Sequence, residues 1–303
     1  MISQPRTPTK DLLIMRLLNA RMNFSSEDKL YYSRIEKGFQ GELQFDSLSD
    51  KLKSDCIVKK GLLLEVHNSE FQIDSLIMFR KLIFLLDIKN YEGDYYCEEN
   101  KLFFANGNIV KDPLPQLMRC ESLFLQLMQK LGYHFPVVSH LVFVNPEFTL
   151  MQAPKDYPII YPTQLNRFMK KLNCIPANLT GMHEAFAKQL QSLHKKESKN
   201  RRIPEYHYQQ CKKGIICENC QSLLTNVEGN FVICMKCGHR EEVDSAVLRS
   251  VDELKLLFPE ERITTAKVHD WCSIVKSRKT IRRILLQNLN SVGKTKVRYF
   301  ISK

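Results

Sequence analysis

The sequence predicts an α/β protein, with a mixed, mostly buried sheet flanked by helices, then a small cysteine-bearing ribbon and a short helical unit. Three observations predict it. Strand-like apolar runs alternate with helical segments between about Gly38 and Leu172; two C-x-x-C pairs stand at Cys217/Cys220 and Cys234/Cys237; and residues 246–303 carry capped amphipathic helices and most of the net charge. With 303 residues, 44% hydrophobic and 26% charged content, the chain is long enough for two or three domains and can bury a real core.

Residues 1–37 read as helical, with apolar Leu12, Leu13, Ile14, Leu17 and Leu18, then Ser26 as a capping candidate ahead of a second amphipathic segment. Residues 38–193 read as the α/β domain. It should contain a helix over 41–52, strands at Leu62–Val66, Phe71–Phe79 and Leu82–Lys89, a helix over 113–131 and an apolar strand over 137–144. Residues 194–213, with Lys195, Lys196, Lys199, Arg201, Arg202 and Pro204, lack periodicity and read as a basic, solvated linker. The ribbon follows over 214–242, and a helical unit over 243–303. No internal repeat is visible.

No export signal is visible, and apolar runs such as Leu82–Leu86 fall far short of the roughly 20 residues that span a bilayer. A cytoplasmic protein with reduced thiols and no membrane partner is expected, even though there are ten cysteines. The formal net charge is +12, and residues 267–303 hold ten Lys and Arg against the single acid Asp270. Such concentration points to a polyanionic partner.

The thirteen residues between the two C-x-x-C pairs match the spacing of four-cysteine zinc sites. Each pair can form a knuckle whose thiolates reach one metal at about 2.3 Å, and four of them complete a tetrahedron, so the zinc should be structural. Glu228-Gly229-Asn230 reads as the turn between two strands, and Gly238 supplies backbone freedom after the second pair. Cys211 and His239 lie close enough to substitute as ligands but read as bystanders. A redox pair would need a thioredoxin-like unit, and none is visible.

Asp87 and Lys89 interrupt the apolar run Leu82–Lys89 and, being two apart, project from one face of a strand. Burying them costs several kcal/mol unless they pair or bind a metal. Asp74 in the preceding strand could stand beside Asp87, and Glu42 is a further acid with no core role; a structural ion pair is the competing reading of Asp-x-Lys alone. Glu65, Glu70 and Glu92 read as solvated loop charges.

Taken in order, Gly41-Glu42, Gln72-Ile73-Asp74, Asp87-Ile88-Lys89-Asn90-Tyr91-Glu92-Gly93 and Asp112-Pro113-Leu114 with Gln116 resemble the nuclease-related domain (NERD) family, over about residues 37–150. This family is a branch of the restriction-endonuclease-like superfamily with its PD-(D/E)xK site. The resemblance implies a restriction-endonuclease-like mixed sheet and divalent-metal-dependent phosphodiester hydrolysis. It further implies that Asp74 and Asp87 ligate magnesium or manganese, that Lys89 orients or helps deprotonate the attacking water, that Glu42 completes the acidic cluster, and that Gln116 contacts water or phosphate. Two departures stand out: the third-strand acid is Asp87 where the family more often has Glu, and no proline precedes Asp74.

In the tail, Ala246–Phe258 has helical periodicity, Thr264 or Thr265 can cap a short helix, and Ser277 a longer one to about Leu289. There Ile281, Ile284, Leu285 and Leu289 form an apolar stripe opposite Arg278, Lys279, Arg282 and Arg283. After Gly293, Lys294, Lys296 and Arg298 alternate with other residues as a β-wing would. This resembles a winged helix-turn-helix, with those seven cations as nucleic-acid contacts. The combined expectation is a modular DNA endonuclease for which RNA remains a possible substrate. The alternatives are a non-catalytic nucleic-acid-binding or regulatory protein with a vestigial nuclease domain, and a chain whose ribbon docks a protein partner.

Overall fold

The computed structural model describes residues 5–99, 101–176, 178–199, 201–293 and 298–303. In chain order its helices and strands are α1 (Lys10–Arg21), α2 (Ser26–Ser49), β1 (Ile57–Val66), β2 (Ser69–Met78), β3 (Ile83–Lys89), β4 (Gly93–Glu98), β5 (Lys101–Phe104), β6 (Ile109–Val110), α3 (Leu114–Lys130), β7 (Val137–Phe143), β8 (Phe148–Met151), β9 (Ile159–Ile160), α4 (Leu165–Asn173), α5 (Gly181–Leu193), β10 (Thr225–Glu228), β11 (Phe231–Cys234), β12 (Arg240–Glu242), α6 (Val243–Leu257), α7 (Thr265–Trp271), α8 (Arg278–Asn288), β13 (Asn290–Val292) and β14 (Tyr299–Ile301). They belong to two compact units: Met1–Lys10 with Ser33–Arg201, and Asp11–Tyr32 with Arg202–Lys303.

Among the described residues, the first unit has a five-stranded sheet ordered β1-β2-β3-β7-β9 and a four-stranded sheet ordered β6-β5-β4-β8. In the larger sheet β1, β2 and β3 pair antiparallel while β3, β7 and β9 pair parallel, so the sheet is mixed. Strand β3 is apolar on both faces because helices cover both. Ile83 and Leu85 join Leu117, Phe124 and Leu127 of α3 and Phe186 and Leu190 of α5, whereas Phe84, Leu86 and Ile88 join Phe45 of α2 and Phe168 and Leu172 of α4. A strand buried this way reads as a continuous hydrophobic run, which is how it was legible. The smaller sheet adds Tyr95, Cys97, Leu102 and Phe148 to the first core; its strands of two to six residues carry too little pattern to be read from sequence.

Helix α2 is longer than expected and absorbs both the second N-terminal segment and the helix over 41–52. Its cap is Ser25 rather than Ser26, because the Ser25 hydroxyl accepts the Asp28 N–H at 3.1 Å. Gly41 in its interior suggests a helix boundary but serves close packing instead: a Cβ there would lie 2.6 Å from the Asn90 Cβ, just past β3.

The first half of the basic stretch expected as a solvated linker is held against β1. The Lys195 N–H donates to the Leu63 carbonyl at 2.9 Å, and the Leu63 N–H donates to His194 Nδ1 at 3.0 Å. Glu65 and Glu70 are strand residues, not loop charges. The Lys195 ammonium contacts both, and the Lys199 N–H and Ser198 hydroxyl donate to Glu70 at 2.9 Å each. These contacts hold the Glu70 carboxyl well below its usual range, at about 2, chiefly through Lys195.

In the second unit, β10, β11 and β12 pair antiparallel and lead into α6, α7, α8 and the β13–β14 hairpin. The caps anticipated for the last two helices form: Thr264 accepts the Lys267 N–H and Ser277 the Thr280 N–H, each at 3.2 Å. Val247, Val251, Leu254, Trp271, Ile281, Ile284, Leu285 and Phe300 are buried. So is Arg21 of α1, which donates to Glu253 and to the Lys212 and Gly214 carbonyls and lies 3.9 Å over the Trp271 ring. No helix among the described residues is long and apolar enough to cross a membrane.

Candidate active site and metal centre

Strand β3 places Asp87 and Lys89 on one face at its C-terminal end, with Lys89 Nζ 2.8 Å from Asp87 Oδ1. Asp87 is only 7% exposed, and its Oδ2 has no hydrogen-bond partner among the described residues. On the neighbouring β2, Asp74 is held from two sides: Oδ2 accepts the Ile88 N–H at 2.9 Å and Oδ1 the Gln72 amide at 3.0 Å. Glu42, on α2, accepts from Arg6 at 2.6 Å.

The charges of these groups act on one another. Burial pushes the Asp87 carboxyl up to about 7; the charge of Asp74 adds to this, and Lys89 opposes it. Glu42 rises to about 8, again through burial first and Asp74 next, against the pull of Arg6. For Lys89 burial works against the charge, yet Asp87 and Asp74 together hold its ammonium above the usual range. Two carboxyl groups that resist ionisation, Asp87 and Glu42, the first with an oxygen that meets no donor among the described residues, suit a cation with oxygen ligands. The three carboxylates are not drawn as close as metal ligands: among the described residues only the four cysteines bring three or more ligand atoms within 4.8 Å of one another.

Gln116 lies exposed in the first turn of α3, one turn before Cys120 on the same face. Cys120 itself approaches the acids: its thiol donates to the Gln72 carbonyl at 3.2 Å, and burial, then the charges of Asp87 and Asp74, push it up to about 12. Glu42, Asp74, Asp87 and Lys89 thus act on one another's charge, and α3 approaches Asp74 and Asp87 through Cys120, with Gln116 exposed in its first turn. The structure also adds residues that sequence reasoning missed. Arg6 takes Asp46 by Nε at 2.8 Å and by a second nitrogen at 3.1 Å, besides Glu42. An acidic pair four apart on one helix, Glu42 and Asp46, was the available signal, because such like charges are unfavourable without a cation between them.

The second constellation is the four-cysteine group. Cys217 and Cys237 Sγ are 3.7 Å apart and Cys220 and Cys234 Sγ 3.5 Å apart. A tetrahedron of sulfurs about 2.3 Å from a central ion has edges of about 3.8 Å, so the group fits zinc. The backbone N–H of His239 points at Cys237, which is drawn down to about 6, whereas burial pushes Cys217 up to about 12 and Cys220 is raised despite the Ser222 N–H. Such donors favour thiolates over thiols. The left-handed positions Gly229 (φ 59°) and Gly238 (φ 72°) close the hairpin turn and the second knuckle. Cys211 and His239 are not members of the group.

Of the cations singled out in the tail, Arg278, Lys279 and Arg282 are exposed on α8 and Arg298 is half-buried before β14. Arg283 is already engaged: its two terminal nitrogens grip Asp244 at 2.7 and 2.9 Å. Lys294 and Lys296 lie outside the described residues.

The first unit is thus a mixed sheet between helices, with Asp-x-Lys at the end of its third strand and an acid on the adjoining strand. Residues 37–144, just over a third of the chain, match the family model of the nuclease-related domain (NERD). No curated protein and no solved structure matches the chain.

Proposed function

We propose that the protein is a divalent-metal-dependent DNA endonuclease in which the nuclease-related domain hydrolyses phosphodiesters, the ribbon holds a structural zinc, and the basic helix α8 with its hairpin acts as a winged helix-turn-helix that grips DNA. The observation that carries this reading is the buried Asp87–Lys89 pair at the end of β3, coupled to Asp74 on the adjoining strand.

Asp74 and Asp87 would hold magnesium or manganese, with Glu42 completing the acidic set. The bound cation would supply a lowered pKa for its water and neutralise charge on the phosphate. The Ile88 N–H and Gln72 amide fix the Asp74 carboxylate, so that side chain need not reorganise during the reaction. Lys89, kept cationic by the two aspartates, is placed to orient the attacking water or stabilise the developing oxyanion. Helix α3 packs on that face of β3, and Gln116, exposed in its first turn, would contact water or phosphate.

The test is incubation of the purified full chain with supercoiled plasmid and linear DNA, with magnesium, with manganese and without either. Nicking that requires the ion and disappears in Lys89→Ala is expected. Intact DNA under every divalent ion would favour the rival reading of a nucleic-acid-binding protein with a vestigial nuclease domain.

A further inference from the structure

We propose that Arg6 is a positioning residue of the candidate nuclease site, its guanidinium fixing Glu42 of α2 against the Asp74 backbone of β2. Its effect on catalysis rests on the nuclease reading above; its effect on geometry does not.

The guanidinium occupies a receptor that uses all three of its nitrogens. Nε and one terminal nitrogen clasp Asp46 at 2.8 and 3.1 Å, the other terminal nitrogen reaches Glu42 Oε2 at 2.6 Å, and the Asp74 carbonyl accepts at 2.7 Å. The Arg6 side chain is only 4% exposed.

The sheet is shaped to admit it. The β1–β2 ladder pairs Lys60 with Ser75 and Leu62 with Ile73, and between them Gly61 stands at φ +60° facing Asp74. A Cβ at Gly61 would lie 3.0 Å from an Arg6 nitrogen, so a side chain there would crowd the guanidinium, and the left-handed backbone already favours glycine. The Asp74 carbonyl is thereby available to accept from Arg6.

Arg6 supports the acids rather than plugging their mouth. It touches Asp74 through the backbone, leaving that carboxylate to Gln72 and Ile88, and it engages one oxygen of Glu42. A single ammonium cannot span Asp46, Glu42 and the carbonyl at once, so lysine is a poor substitute.

The experiment compares wild-type full chain with Arg6→Ala and Arg6→Lys in two independent readouts. In steady-state cleavage of plasmid DNA, Arg6→Ala should lower kcat by about a hundredfold with KM for DNA within about twofold, since displacement of a catalytic group by about 1 Å costs that much. Arg6→Lys should fall in between, and added guanidinium ion at non-denaturing concentration should restore part of the Arg6→Ala rate. In amide hydrogen exchange, peptides containing Asp74 and Ile88 should exchange faster in both variants, while peptides of the cysteine ribbon stay unchanged. If wild type cuts no DNA, the nuclease reading fails, and the exchange data alone decide whether Arg6 positions Asp74 and Glu42. Should Arg6→Ala fail to fold, Arg6→Lys carries both readouts. Faster cleavage in a variant would make Arg6 a plug and overturn the proposal, as would unchanged exchange at Asp74 and Ile88.

Discussion

Asp87 and Lys89 decide between two readings at the scale of single residues. If the pair were a structural salt bridge, removing either partner would destabilise the fold, because the other is left buried and unpaired. If it is a site, the carboxylate is a burden on stability: burial and Asp74 already push its pKa to about 7. Asp87→Asn is therefore expected to abolish cleavage while holding or raising the melting temperature at neutral pH, and Lys89→Ala to abolish cleavage while lowering it. Thermal denaturation with parallel cleavage assays checks this, and a larger stability loss in Asp87→Asn than in Lys89→Ala would return the pair to a structural role. Glu42, Asp74, Asp87 and Lys89 were legible because charges at those positions interrupt apolar periodicity or stand in a motif order. Arg6 was not: a lone arginine 36 residues before Glu42 has no local pattern, and only the folded chain brings the two together.

Among the elements, α8 shows how a charge pattern overstates an interface. Its basic side reads as four equivalent cations, yet Arg283 is committed to Asp244 of α6, which ties the two helices together. If α8 grips phosphates, replacing Arg278, Lys279 and Arg282 together with Ala should reduce the slope of log affinity against log salt by about 2 to 3, at about 0.9 per phosphate neutralised. Arg283→Ala should leave the slope unchanged and lower the melting temperature slightly. Fluorescence anisotropy on a labelled duplex at several salt concentrations checks both; equal slopes for wild type and the triple variant would make the basic face merely solvated. The helices and caps of this region could be read from sequence because capping and amphipathic spacing are local. The short strands β4–β6, β8 and β9 could not, since two to six residues carry too little pattern, and the pairing of β4 with β8 joins segments far apart in the chain.

For the whole molecule, the division into units differs from the order of segments along the chain. The second unit takes in Asp11–Tyr32, and with it Arg21, whose guanidinium meets Glu253 and lies over Trp271 in the interior. A fragment of residues 202–303 should therefore be less stable than its helices suggest, because it loses the Arg21 contacts to Glu253 and Trp271, although Arg249 still pairs with Glu253. Thermal melts of that fragment with and without a peptide of residues 11–32 added in trans check this, and identical melts would show that α1 contributes nothing. Truncation at residue 264 is likewise a poor test of DNA binding, because Trp271 and α8 belong to the core around α6; surface substitutions are the cleaner probe. By itself the sequence determined the α/β class, the buried third strand and the cluster of four cysteines, all of which depend on periodicity or short spacing. Only the tertiary structure decided that Arg6 clasps Glu42 and Asp46, that Arg21 completes a core built more than 200 residues later, and that Arg283 is paired. Those contacts join groups far apart in the chain, and buried charges select their partners by desolvation and geometry, which no local window of sequence contains.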